Sequence, residues 1–195
     1  MSEDDRVKWD RIHARGGWPA PAKVLTDYRH LLPHRGDALD LACGLGSNAL
    51  LLAECGLTVE AWDISPVAIA RLRQRARALG LDLKAQACDV TSKAWPQGVF
   101  DVIVVSRFLE RRLCPVIQQA LKPGGLLFYQ TFVRDKVTEM GPSNPDFLLA
   151  ENELLDLFQG LVIRVYREEG RRGDIHQGWR NEVCLVGEKK LEEVS

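Results

Sequence analysis

No apolar run in this chain approaches the roughly 20 residues that a bilayer-spanning helix needs, so no membrane partner is expected. No C-x-x-C pair occurs either. The five cysteines, Cys43, Cys55, Cys88, Cys114 and Cys184, are odd in number, and four of them lie in apolar segments. That usage argues against a disulfide framework and suits reduced, structural thiols in a cytoplasmic protein. His13, His30 and His34 have no cysteine or carboxylate partners at metal-ligand spacing, and no metal is expected. An excess of one charge is also lacking. Lys and Arg total 26 against 27 Asp and Glu, which gives no broad signal for nucleic acid or a membrane surface. The opening residues Met1 to Asp5 are acidic and polar, the wrong chemistry for a secretory signal.

What remains is an ordinary globular composition, 46% hydrophobic over 195 residues, without low-complexity sequence or internal repeats. This length suits a single domain around one sizeable core. Apolar runs alternate with helix-like stretches. Strands are expected at Ala38–Ala42, Thr58–Trp62, Leu83–Ala87, Phe100–Val105 and Leu126–Phe132, and helices at Asn48–Cys55, Val67–Leu79 and Arg111–Leu121. Ser65-Pro66 is a good helix start, and Pro123-Gly124-Gly125 reads as a turn. Beyond an amphipathic segment at Glu151–Phe158, strands at Leu161–Arg167 and Glu182–Gly187 follow one another with no helix between them. They must therefore pair as an antiparallel hairpin. The expected fold class is α/β: a Rossmann-like doubly wound sheet, mostly parallel, ending in an antiparallel C-terminal hairpin. Within a single domain 1–195, residues 1–36 form an N-terminal cap, 37–133 a cofactor-binding core, and 134–195 a substrate-side helix and the hairpin.

The most informative stretch is Asp40-Leu41-Ala42-Cys43-Gly44-Leu45-Gly46. A strand that ends in an acid and then glycines presents bare backbone N–H groups at a helix N-terminus, beside a negative charge. Such a turn receives an adenosyl ligand closely, and the acid favours an ammonium over a pyrophosphate, which points to S-adenosylmethionine. The same glycine spacing also fits the dinucleotide fingerprint, and Asp63 lies at the distance of a ribose-binding acid, so NAD is a competitor. Asp40 and the terminal hairpin weigh against it. Cys43 sits in the turn without an evident partner base, and packing accounts for it better than nucleophilic catalysis.

A third acid, Asp89, follows the third strand, so consecutive strands deliver Asp40, Asp63 and Asp89 to one rim. At this level residues from about Asp37 to Phe132 resemble the class I S-adenosylmethionine-dependent methyltransferases, and Leu121-Lys122-Pro123-Gly124-Gly125 matches the turn before that family's fifth strand. The resemblance implies that Asp40 lies near the methionine amino group, Asp63 on the ribose hydroxyls and Asp89 on the adenine amine. Ala42, Cys43, Gly44, Gly46, Ile64, Val90 and Ser106 complete the implied cofactor site. Lys8-Trp9-Asp10, Gln130-Thr131-Phe132 and the run from Gly141 to Leu155 look like the tellurite-resistance-type branch, which includes enzymes acting on oxyanions of tellurium and selenium. Asn144-Pro145-Asp146-Phe147 is not the motif of base amino-methyltransferases, because that motif belongs after the fourth strand, where Ser106-Arg107-Phe108-Leu109 stands.

Arg107 follows the fourth strand, where it either orients an anionic acceptor or pairs with a surface acid. The basic C-terminal hairpin supplies His176 and Arg180 as further candidates, since guanidinium forks suit multi-oxygen anions. The expected activity is methyl transfer to a small soft nucleophile, a tellurium or selenium oxyanion or a thiol. The expected partner is a small-molecule acceptor, with no membrane or nucleic-acid partner. An NAD-linked oxidoreductase and a non-catalytic S-adenosylmethionine-binding sensor stay open at this point.

Overall fold

The computed structural model describes residues 3–191. Seven strands form one sheet in the order β3-β2-β1-β4-β5-β7-β6. They are β1 (Asp37–Leu41), β2 (Thr58–Asp63), β3 (Lys84–Ala87), β4 (Phe100–Ser106), β5 (Leu121–Phe132), β6 (Leu161–Arg167) and β7 (Glu182–Lys189). The first five strands pair in parallel. β7 inserts antiparallel between β5 and β6. The expected hairpin therefore exists as the β6–β7 pair, with its returning strand in the interior of the sheet.

The period of two along the strands decides which helices cover which face. Leu39, Leu41, Ile103 and Val105 point to a core closed by α5 (Cys114–Ala120) and α6 (Glu153–Leu157). Ala38, Val102 and Val104 point the other way, onto α2 (Lys23–Asp27), α3 (Ser47–Glu54) and α4 (Pro66–Ala78). Alternation puts Asp40 on this second face, level with α3. α4 starts as its sequence predicts: Ser65 Oγ accepts from Ala68 N at 3.1 Å and Pro66 occupies the first turn.

Two expectations change. Pro123-Gly124-Gly125 belongs to the long strand β5, and the pairing shifts register between Phe100 and Val102 beside it. A Cβ at Gly125 would lie 2.9 Å from the carbonyls of Lys122 and Phe100, so this close approach of backbones needs glycine. The helix expected over Arg111–Leu121 is a 3₁₀ turn, Arg111–Leu113, followed by α5. The N-terminal segment contains a helix, α1 (Glu3–Arg15), which packs against α4 and has no buried residue of its own. Among the described residues no helix is long and apolar enough to cross a membrane.

Candidate active site

The carboxyl ends of β1, β2 and β4 meet around a cavity of about 750 Å³. The turn after β1 is held from below. Cys43 N donates to Trp62 O at 3.0 Å, and Gly44 N donates to Asp63 Oδ2 at 2.8 Å. Gly46 has φ +78°, and a Cβ there would fall 2.5 Å from the methyls of the buried Leu72. Only glycine both turns the chain and lets α3 seat against α4.

Of the residues expected from sequence, Ala42, Cys43, Gly44, Asp63, Ile64, Val90, Ser106 and Arg107 line this cavity. Asp89 lines an adjoining cavity of about 390 Å³, which shares Ile64 and is bordered by Glu3 and Arg6 of α1. Asp89 Oδ1 accepts from Thr91 N and Oγ1 at 2.9 and 2.6 Å.

Asp40 differs from the expectation. It is fully buried behind the turn, accepting from Ala49 N at 2.9 Å and from Asn48 Nδ2 at 3.4 Å, and it lines neither cavity. It braces the start of α3. Burial, with no cation beside it, lifts its carboxyl to about 7. Gly46 likewise shapes the turn from behind.

His176 and Arg180 are not brought to the cavity. Arg180 donates to the carbonyls of Gln177, Gly170, Arg172 and Asp174, so its fork knits the loop between β6 and β7 together. His176 is exposed on that loop, its N–H bonded to Asp174 Oδ1. The expected basic clamp is a loop brace. The physical reason is local: a glycine-rich loop leaves carbonyls unpaired, and a guanidinium within it satisfies several at once.

The N-terminal cap contributes Trp9 and His13, stacked with ring centroids 5.5 Å apart, to the cavity wall. His13 Cε1 would lie 3.1 Å from a Cβ on Gly44, so the ring covers the glycine turn closely. The four-residue spacing of Trp9 and His13 on one helix face was the available signal for this pair. Burial lowers the His13 pKa, which keeps the ring neutral, and burial raises Asp63 despite the N–H groups of Ser65 and Gly44 and the nearby His13. With His13, Asn48 is a residue that sequence reasoning missed, whereas Trp9 was a candidate to cover the cofactor. Its Nδ2 donates to Ser106 Oγ at 3.0 Å and its Oδ1 accepts from Ala22 N at 2.7 Å, tying α3, the end of β4 and the N-terminal segment together. Cys43 is a buried thiol pushed far up by desolvation and by Asp40, which removes it as a nucleophile.

These residues fit S-adenosylmethionine. Asp63 is a carboxylate at the tip of β2 whose two oxygens, each already holding one backbone N–H, keep lone pairs for the vicinal hydroxyls of a ribose. Gly44 lets the backbone approach a ligand without a side chain, and Ile64 and Val90 flank an apolar slot next to Asp89. Among the described residues no cluster of three or more His, Cys, Asp or Glu could hold a metal ion.

Comparison with known proteins agrees. The family described as "Methyltransferase domain" matches residues 38–125. Hemagglutinin 1 of Eikenella corrodens is 34% identical over 139 residues, covering 67% of this chain and 45% of that protein. Demethylmenaquinone methyltransferase of Thermus thermophilus is 32% identical over 101 residues, covering 48% of this chain and 46% of that protein. The chain thus spans about half the length of these relatives. Among solved structures, TehB from Haemophilus influenzae superposes with a TM-score of 0.71 at 22% identity, covering 94% of this chain and 67% of that one. The NAD reading loses its footing here, because residues 38–125 match a methyltransferase domain. Residues 38–125 are thus a methyltransferase domain, and the fold around them is the Rossmann-like fold of S-adenosylmethionine-dependent methyltransferases, with S-adenosylmethionine the implied cofactor.

Proposed function

We propose that this protein transfers a methyl group from S-adenosylmethionine to a small soft nucleophile, a thiol or an oxyanion of tellurium or selenium. One observation carries the reading: a single cavity joins the glycine turn and Asp63 to the Ser106-Arg107 turn after β4. A donor seated on the first and an acceptor seated on the second would share one enclosed space. The sequence likeness to the tellurite-resistance-type branch and the fold likeness to TehB support a small soft acceptor.

When bound, S-adenosylmethionine supplies a methyl group already activated by its sulfonium. The chain's task is then alignment and exclusion of water. Asp63 and Asp89 would fix the nucleoside end. The aromatic pair Trp9 and His13 roofs the glycine turn and limits solvent access. Ser106 is oriented by Asn48, and Arg107 faces the acceptor side of the cavity. No side chain here is set up as a strong base: His13 is neutral but sits at the glycine turn, and the Cys43 thiol is buried and protonated. Soft acceptors with available lone pairs need none.

Calorimetric titration with S-adenosylmethionine, with NAD in parallel, tests the cofactor. A methyl-transfer assay on tellurite, selenite and small thiols tests the acceptor. Binding of S-adenosylmethionine with transfer to one of these is the expected result. Binding of NAD alone would overturn the reading.

A further inference from the structure

The acceptor end of the cavity is built from an unusual mixture. Phe108, Leu109, Phe132, Pro142 and Phe147 line it, and Arg107 lies among them with its guanidinium 5.9 Å from the centre of the Phe132 ring. Arg107 is not placed there by accident of a loose side chain. Its backbone is in the left-handed region at φ 54°, and its N–H is bonded to Gln130 O at 2.8 Å. Its Nε donates to Glu182 Oε1 at 2.8 Å, and the other oxygen of Glu182 accepts from Gln130 Nε2 at 2.5 Å. Gln130 Oε1 in turn accepts from Val24 N at 2.8 Å. Glu182 is buried, so this carboxylate positions the guanidinium from its Nε side. The two Nη groups make no hydrogen bond with any described residue. The other guanidinium on the wall, Arg112, is answered by Glu110 at 3.0 Å. Gly141 lies against Phe132, where a Cβ would come within 2.6 Å of the ring, so the loop after β5 packs directly on that aromatic face.

From this arrangement we infer that the acceptor is an apolar, ring-sized molecule bearing one anionic group, which pairs with the Nη groups of Arg107 while its body lies among Phe108, Phe132 and Phe147. The inference rests on the methyltransferase reading and narrows its acceptor. A bare oxyanion would gain one half-exposed guanidinium whose charge is already shared with Glu182, and would leave the aromatic wall unused. An anionic group on an apolar body uses both halves of the wall: the free fork for the charge, the rings for the body. With an aromatic thiol carboxylate the chemistry balances simply. The thiol proton leaves to solvent, a sulfur lone pair forms the new S–C bond, and the electron pair of the breaking C–S bond passes to the former sulfonium sulfur.

The test compares 3-mercaptobenzoate, thiophenol, mercaptoacetate and tellurite as acceptors at saturating S-adenosylmethionine, after cofactor binding has been measured by calorimetry. The expected result is kcat/KM for 3-mercaptobenzoate about 10- to 100-fold above each of the others, the range of one charge-assisted hydrogen bond or one buried ring. Arg107→Ala should lower 3-mercaptobenzoate at least about tenfold more than thiophenol, and Arg107→Lys should restore part of the difference. As a readout apart from turnover, the thioether 3-(methylthio)benzoate should bind the wild-type protein and lose affinity in Arg107→Ala. Phe147→Ala, at an exposed ring, should weaken both aromatic acceptors without a folding defect. Tellurite or mercaptoacetate equal to 3-mercaptobenzoate would overturn the inference, as would an equal loss of both aromatic thiols in Arg107→Ala. Cofactor binding without transfer to any aromatic thiol would overturn the acceptor class alone. Failure to bind S-adenosylmethionine would overturn the underlying methyltransferase reading and this inference with it.

Discussion

The carboxylate of Asp10, on the N-terminal helix, accepts a hydrogen bond from Ser65 Oγ at 2.5 Å, and the same hydroxyl caps the N-terminus of α4. One carboxylate thus joins the cap segment to the helix that follows Asp63, the acid proposed to contact the ribose. The grip is reinforced at the other end of α1, where Arg71 of α4 donates to the carbonyls of His13 and Gly16. Trp18 packs under Arg71 and Arg75 at 5.5 and 5.8 Å. α1 owes its place to these polar contacts, since it has no buried residue.

Replacing Asp10 with Ala should therefore loosen α1 while leaving the sheet intact. The expected cost is about 1–2 kcal/mol. Limited trypsin digestion should then cut faster after Arg11 and Arg15, and S-adenosylmethionine should protect those sites less. Cleavage at the wild-type rate would mean that α1 is held by something else.

Asp63→Ala should weaken S-adenosylmethionine binding by roughly 1–3 kcal/mol, the range of a lost hydrogen bond to a charged group. Titration calorimetry on the folded variant reads this directly. Unchanged affinity would remove Asp63 from the ribose contact.

Gly46→Ala should destabilise the fold by about 1–3 kcal/mol, because an L side chain at φ +78° meets the buried Leu72 methyls at 2.5 Å. Urea unfolding should show a lower midpoint with an unaltered slope. A variant as stable as the wild type would show that α3 and α4 can part without penalty.

Asp40 makes a pH prediction with a definite sign. Its carboxyl is raised to about 7 when folded, against about 3.9 when unfolded. Between those values the folded state holds a proton that the unfolded state has released. Its contribution to stability therefore falls as pH rises through this window and is fully lost above the folded value. Asp40→Asn removes the titration. The stability difference between variant and wild type should shift in the variant's favour from pH 5 to pH 8, by at most about 1.36 kcal/mol per pH unit. A pH-independent difference would sink the assignment.

Arg180→Ala should act on the loop it braces, not on the acceptor. Proteolysis within residues 168–180 should accelerate while the acceptor's KM stays at the wild-type value. A raised KM with an intact loop would return Arg180 to the site.

The parallel core was legible because each strand has its own apolar run and the helices their own start and stop signals, a start at Ser65-Pro66 and stops at Gly56 and Gly80. Asp63, Ile64 and Val90 could be placed because the ends of parallel strands share a rim. What could not be read was direction. Alternation along β1 puts Asp40 on the α3 face, but only the three-dimensional seating of Ala49 and Asn48 shows that its carboxylate is consumed there. Arg180 looked like a ligand-binding cation because sequence records a charge and not the carbonyls around it. His13 and Asn48 escaped because their roles depend on contacts with residues far along the chain, such as Gly44 and Ser106.

The insertion of β7 between β5 and β6 has a consequence for biosynthesis. A ribosome delivers β5 and then β6 before it delivers the strand that belongs between them, so two flanking edges wait with their N–H and C=O groups unpaired until residues 182–189 emerge. During that interval the nascent sheet presents a vacant slot of strand width, the geometry that invites a stray strand from another chain. Chaperone occupancy on stalled nascent chains should therefore peak at lengths that expose β6 but still hold β7 in the exit tunnel.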